Sequence, residues 1–371
     1  MQFLKRFSFE PIFLNKTYVC RKHCLMNKPQ YYSDYLELDK ILDAQHPVSF
    51  NEPYDPAHDE MLFIIIHQAY ELWFKQMMHE TESIVAIMQQ EEMNDNSPQM
   101  QTVVHRLNRV NTIMKVLVHQ MDIMETMTSM DFLDFRDLLR PASGFQSWQF
   151  KILEARLGLQ FEQRHELQYY TSMLRPEYVE MVKKAESEPS LLSLMNKWLE
   201  RMPFFSNDEL WKNFVLNNPE ENNTHSFWIE YRYRLHQSLS DVESGTLAAF
   251  DTIFSNDDAT RSLSSTACRS ALFILLYRGY PILQQPFQLI NAVLELDEQL
   301  STWRYRHMNM VHRMIGQRIG TGGSSGKDYL KGAADKHYIF KEFAQLTSFL
   351  IERRKLPKLS LEMERKLGFA V

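Results

Sequence analysis

The sequence predicts an all-α fold. Apolar residues recur at 3–4 spacing over long stretches, and one of them, Phe287–Ile315, contains neither Gly nor Pro. No segment of useful length alternates apolar and polar residues as a half-buried strand does. Glycine is scarce and concentrated: of 11 in the chain, Gly316, Gly320, Gly322, Gly323 and Gly326 fall in one short stretch. Helices therefore dominate, and a glycine-dense loop follows the longest of them. Such clustering marks a place where the backbone needs φ > 0 or must let a ligand approach.

Taken in order, residues 1–30 carry Lys5, Arg6, Lys16, Arg21, Lys22 and Lys28 against the single acid Glu10. The segment lacks the amphipathic period of a transit peptide and reads as a disordered extension, with Met26 an alternative start. From Tyr31 the pattern turns helical through Tyr32, Tyr35, Leu36, Leu38 and Ile41. Asp55-Pro56 predicts a cap and first-turn proline opening a helix to about Glu92. Phe63, His67, Tyr70, Phe74 and Met77 line one face of it, while Leu62, Ile66, Ala69 and Trp73 line another. A helix apolar on most sides belongs at the centre of a bundle.

Thr102–Met124 reads as a further amphipathic helix, and Ser129 as the cap of a short one, Met130–Leu139, that Pro141 ends. Helical patterns resume over 147–160, 163–187 and 191–202. Residues 203–260 are looser, with Asn217–Thr224 the expected exposed excursion. Residues 262–276, 286–315 and 335–350 are helical again. The organisation expected is a disordered 1–30 followed by one helical domain, 31–371.

Composition narrows the function. The 44% hydrophobic content supports a sizeable core, and the longest apolar run, Met61–Ile66, falls far short of a membrane span. A net charge of −6 without a strong basic run argues against nucleic acid as the main partner. Three cysteines make no disulfide framework, which points to a reducing, cytoplasmic setting. Cys20, His23 and Cys24 have the look of half a zinc site, but no second ligand pair follows.

Several candidate chemistries fail on spacing. The glycine loop is no phosphate cradle: Thr321 stands five residues before Gly326, and Asp328 follows Lys327. Glu162–His165 is one Glu-x-x-His, where a carboxylate di-iron bundle needs two. H-E-x-x-H and G-x-S-x-G are absent. What remains is His307 inside the stripe Leu300, Trp303, Val311, Met314, and His67 inside its own apolar face. Each is equally readable as a core histidine satisfied by a carbonyl. Arg136 shares a face with Phe132, Leu133 and Leu139, so it snorkels, pairs internally or waits for an anion. Two inward histidines with apolar surroundings also suit a heme pocket.

Four segments carry a resemblance: FIIIHQAYELWFKQ (Phe63–Gln76), DFLDFRDLLRPASGFQS (Asp131–Ser147), WRYRH (Trp303–His307) and RMIGQRIGTGGSSG (Arg313–Gly326). In this order they closely resemble the tryptophan 2,3-dioxygenase family, and the likeness runs from about Tyr31 to Leu367. The resemblance implies a helical bundle around heme b (iron protoporphyrin IX). It also implies insertion of both atoms of O2 across the indole C2–C3 bond of L-tryptophan. The product would be N-formyl-L-kynurenine, the first step of the kynurenine pathway. By the same resemblance His307 is the iron ligand, and His67 is the distal catalytic histidine that hydrogen-bonds the indole N–H. Arg136 grips the substrate carboxylate, Thr321 its ammonium and part of its carboxylate, and Phe63 and Phe132 wall the indole. Tyr70 and Ser143 fall at pocket positions, Ser143 near the heme. Tyr32, Tyr35 and Leu36 complete a neighbouring subunit's pocket, which implies a homotetramer, with no nucleic acid and no membrane among its partners. The alternative from another class is a helical scaffold or heme sensor, which has no use for Arg136 or Thr321.

Overall fold

Helix follows helix throughout the computed structural model, which describes residues 29–90, 97–161, 164, 172–202, 226–255, 258, 260–320, 330–332 and 337–368. Among the described residues there is no strand. In chain order the α-helices are α1 (Tyr32–Leu36), α2 (Leu38–Leu42), α3 (Asp59–Met88), α4 (Pro98–Met124) and α5 (Ser129–Arg136). Then come α6 (Trp148–Leu157), α7 (Pro176–Ser187), α8 (Leu191–Glu200), α9 (Ser226–Ser238) and α10 (Gly245–Ser255). The last are α11 (Ser265–Leu276), α12 (Gln284–Ile315), α13 (Lys341–Gln345) and α14 (Leu361–Leu367).

The chain divides into two compact units, Met1–His46 and Pro47–Val371. In the first, the helical pattern from Tyr31 is split at Glu37, whose φ of 47° ends α1 before α2 begins. Neither helix buries a residue; Tyr32 is 76% and Tyr35 71% exposed, and Leu36 is half-buried.

The second unit holds the bundle. Helix α3 starts at Asp59, not beside Asp55-Pro56. Its Glu60 carboxylate turns back to accept the backbone N–H groups of Val48 (2.8 Å) and Ser49 (2.9 Å). Ser49 Oγ in turn accepts from Ala57 N at 3.0 Å. These bonds use residues 47–58 as a folded turn, so the proline sits ahead of the helix. Helix α4 starts four residues earlier than its apolar pattern suggests, because Ser97 caps it and Pro98 takes the first position, where no N–H is needed.

The cap of α5 is Thr128 rather than Ser129: Thr128 and Asp131 exchange side-chain and backbone hydrogen bonds in a capping box. Ser129 instead donates to the Arg313 carbonyl of α12 at 3.0 Å. At the end of α6, Gly158 has φ 133°, and a Cβ there would meet Leu192 Cβ at 2.6 Å, so helix α8 can lie against that turn only over a glycine. Within residues 226–255, α9 and α10 bury Phe227, Trp228, Tyr231, Phe250 and Phe254 in one aromatic cluster. The expected excursion, Asn217–Thr224, lies outside the described residues, as do the Cys20–Cys24 segment, Glu162 and His165.

Three long helices position the site. Helix α12 packs along α4, α4 along α3, and α3 against α6, while α5 crosses both α3 and α12. Arg306 of α12 locks this order by donating to Asp122 (2.7 Å), Glu125 (3.2 Å) and the Val118 carbonyl (2.9 Å) of α4. The inward faces of α3, α5, α6 and α12 are left looking at a common space. No helix among the described residues is long and apolar enough to cross a membrane.

Candidate active site

That space is a cavity of about 290 Å³ with mainly apolar walls. Phe63, His67, Tyr70, Phe132, Arg136, Ser143 and His307 all reach it, so seven residues spread over more than 240 positions of sequence share one chamber. Thr321 lies outside the described residues; Gly320, its neighbour, lines the cavity. Tyr32, Tyr35 and Leu36 belong to the first unit.

On α3 the 3–4 spacing stacks Phe63 over His67, ring centroids 4.1 Å apart. Phe132 lies 5.7 Å from Phe63 and Phe135 completes the triad at 5.5 Å from each. His67 Nδ1 sits 2.7 Å from the Phe63 carbonyl. A carbonyl only accepts, so Nδ1 carries the proton and Nε2 is left as an acceptor. Burial lowers the His67 pKa, against weaker opposing pulls from that carbonyl bond and from Glu71. The ring is thus neutral at pH 7.

Arg136 is 5% exposed, the extreme of the three fates open to an Arg on an apolar face. Its Nη2 donates to the Ile319 carbonyl and Nη1 lies 4.0 Å from Asp137, but Nε is buried with no acceptor among the described residues. A buried guanidinium with an unused donor is set to receive an anion. Ser143 caps the short turn Gly144–Gln146 by accepting from Phe145 N, which leaves its own O–H free to donate. Tyr70 reaches the cavity with its ring, while its hydroxyl donates to the Leu117 carbonyl at 2.9 Å. Burial pushes that phenol up to about 12.

His307 is the cavity residue that α12 contributes from its stripe with Leu300 and Trp303. Burial, with a smaller repulsion from His67, brings its pKa down to about 4. Its ring is partly reachable only because it faces the cavity; in the body of the protein it is deeply enclosed. Among the described residues it makes no hydrogen bond, and the Trp303 ring lies parallel to it, 5.5 Å away and 10° inclined. His312, one and a half turns on, is exposed.

A group of charges at the cavity wall lies outside the set expected from the sequence. Glu154 of α6 accepts from Arg164 at 2.7 Å on one oxygen and from Arg304 of α12 at 2.7 Å on the other. Arg304 also donates to the His337 carbonyl at 2.7 Å, and Lys151 stands one turn before Glu154. Burial opposes the Glu154 charge, yet His337 and the two guanidiniums hold its carboxyl well below the usual range. Burial also brings the Lys151 ammonium down to about 8. Lys151 and Glu154, like Arg304 and His307, are three residues apart on helices, and that spacing was the available hint.

The donor set suits heme. Among the described residues no group of three or more His, Cys, Asp or Glu side chains is placed to hold a metal ion. A neutral imidazole facing an apolar chamber is instead the single protein ligand that a porphyrin iron requires, since the macrocycle brings four nitrogens of its own.

Residues 21–350 match the family described as tryptophan 2,3-dioxygenase. The chain is 43% identical over 360 residues to a tryptophan 2,3-dioxygenase of Alteromonas mediterranea, covering 92% of this chain and 98% of that protein. It is 40% identical to the Dictyostelium discoideum enzyme of that name, over 92% of this chain and 89% of the relative. For Xenopus laevis the identity is 38%, over 91% and 86%. The family match over most of the chain, with bacterial, amoebal and vertebrate relatives covered over most of their length, places the chain in the tryptophan 2,3-dioxygenase family.

Proposed function

We propose that the protein is a heme-dependent dioxygenase that opens the indole of L-tryptophan between C2 and C3 with O2. The product is N-formyl-L-kynurenine, which enters the kynurenine pathway. The observation that carries this reading is the convergence of His307, His67 and the unsatisfied Arg136 on one apolar chamber. Bound heme supplies the redox-active iron that activates O2. The protein supplies position and polarity.

His307 would hold the heme iron, its imidazole being neutral and so ready to coordinate. Arg136 takes the substrate carboxylate, using the donor that has no acceptor among the described residues. Thr321 holds the ammonium and part of the carboxylate, a role carried by its place in the family motif. With the amino-acid end fixed, Phe63 and Phe132 wall the indole, and Tyr70 closes the chamber beside them. His67 presents Nε2 as the acceptor for the indole N–H, so the ring enters in one orientation. That hydrogen bond orients the reacting edge without removing a proton permanently. Ser143 offers its O–H toward the heme.

The assembly is a homotetramer in the cytoplasm. Tyr32 and Tyr35 are large aromatic residues left exposed on α1, as suits a segment that completes a neighbour's pocket. The test is an anaerobic titration of the ferrous protein with L-tryptophan, followed by air. A Soret band that shifts with L-tryptophan, then N-formylkynurenine formed one for one with O2 consumed, is the expected result. A purified protein with no Soret band, or one that takes up no O2 with L-tryptophan, refutes the reading.

A further inference from the structure

A metal-bound histidine is normally held by a hydrogen bond from its second ring nitrogen to a carbonyl or carboxylate, which sets both the tautomer and the ring plane. In this chamber the distal ring has such an anchor, since His67 Nδ1 is tied to the Phe63 carbonyl at 2.7 Å. His307 has none among the described residues. What it has is Trp303, one helical turn back, stacked at 5.5 Å and inclined by 10°.

Trp303 is itself clamped. Phe150 of α6 lies 5.0 Å away, and Tyr70 and Phe74 of α3 meet it edge-on at 6.2 and 6.3 Å. Tyr70 is fixed in turn by its bond to the Leu117 carbonyl. The Trp303 N–H lies beside the Tyr70 hydroxyl and draws that phenol down, though among the described residues it meets no acceptor in full hydrogen-bond geometry. The ring face of Trp303, by contrast, has a defined partner in His307.

We propose that Trp303 is the positioning residue of the iron ligand, its stacked ring fixing the plane of His307. The proposal rests on His307 being the iron ligand. Stacking constrains rotation about the Cβ–Cγ bond without withdrawing or supplying charge, so the imidazole binds as an ordinary neutral donor. The clamp also runs from α12 through Trp303 to α3 and α6, so the ring plane of the ligand is referred to the helix that carries His67.

The experiment compares Trp303→Met and Trp303→Leu, which remove the ring, with Trp303→Phe, which retains one. Resonance Raman spectra of the ferrous proteins read the iron–histidine stretch, and transfer to apomyoglobin reads heme release. The expected result is a shifted, broadened stretch and heme release faster by about tenfold or more in the ringless variants. Trp303→Phe should restore most of both. A stretch and release rate unchanged in a folded ringless variant overturn the proposal while leaving His307 as ligand. If neither ringless variant folds, Trp303→Phe decides: a stretch close to wild type supports a role for the ring face, and one displaced or lost overturns it. A wild-type protein without an iron–histidine stretch, or a His307→Ala variant with full heme, removes the ligand assignment itself.

Discussion

Arg304 of α12 donates to Glu154 of α6 at 2.7 Å, and the opposite oxygen of the same carboxylate accepts from Arg164 at the same distance. All three groups are buried at the wall of the chamber. The Glu154 carboxylate thus bridges two buried guanidiniums, Arg164 being shared with Glu186 at 3.2 Å, and it joins the helix carrying His307 to α6. Breaking a buried pair by removing one partner costs about 3–5 kcal/mol, because the other charge is stranded.

Glu154→Gln should therefore lower stability by roughly 3 kcal/mol, read as a lower denaturant midpoint. The native carboxyl is held well below 4.5, so its contribution is complete above that pH and fades as pH falls through the native value. The wild type should lose stability on acidification over that range, and Glu154→Gln should lose less. Equal acid sensitivity in both proteins would count against the pairing.

How much of this was open to sequence reasoning depends on the range of the interaction. His307 falls on the stripe with Leu300, Trp303 and Met314 and His312 does not; the structure puts His307 on the cavity and leaves His312 exposed. Arg136 was visible as a charge on an apolar face, though burial with an unused donor was one of three outcomes. Both are properties of one helix. The Glu154–Arg304 pair joins residues 150 positions apart, and no periodicity encodes that. Trp303 was read as part of a stripe, since stacking on His307 depends on rotamers set by Phe150 and Tyr70 from other helices. The cap of α5 shifted from Ser129 to Thr128 because Asp131 stands three residues after Thr128, a spacing that was legible.

The donor that Arg136 holds in reserve sets the cost of removing it. A hydrogen bond to a charged group is worth about 1.5–3 kcal/mol, so Arg136→Ala should raise KM for L-tryptophan about 10–100-fold. Tryptamine lacks the carboxylate, and its turnover should change far less. Arg136→Lys should recover little, because an ammonium cannot reproduce the planar fork. Steady-state assays on the two substrates check both statements; an equal loss for tryptamine would place Arg136 elsewhere in the reaction.

His67 makes a statement about pH. Its pKa is lowered below 6.5 by burial, so the acceptor at Nε2 persists as pH falls to that value and is lost only when the native ring takes a proton. Affinity for L-tryptophan should stay level from pH 8 to about 6.5 and fall only below. In His67→Ala that acid limb should disappear, along with discrimination against 1-methyl-tryptophan, which has no indole N–H. Binding titrations across pH give both readings. An affinity that declines already between pH 8 and 7 would mean that the ring is not held neutral.

The strongest demand falls on His307, the one neutral, cavity-facing imidazole without an internal hydrogen bond among the described residues. His307→Ala should purify with little heme and a weak Soret band, yet keep the helical circular dichroism of the wild type, since the side chain contributes no ion pair or hydrogen bond to the bundle. Its thermal midpoint should no longer rise on adding heme, because a ligand stabilises only the state that binds it. His307→Gly leaves room beneath Trp303, so free imidazole should restore part of the heme binding, and the restored protein should again shift its Soret band with L-tryptophan. His312→Ala is the control, and it should match the wild type in every respect. Heme retained in full by His307→Ala and lost by another histidine variant would move the axial bond to that other ring.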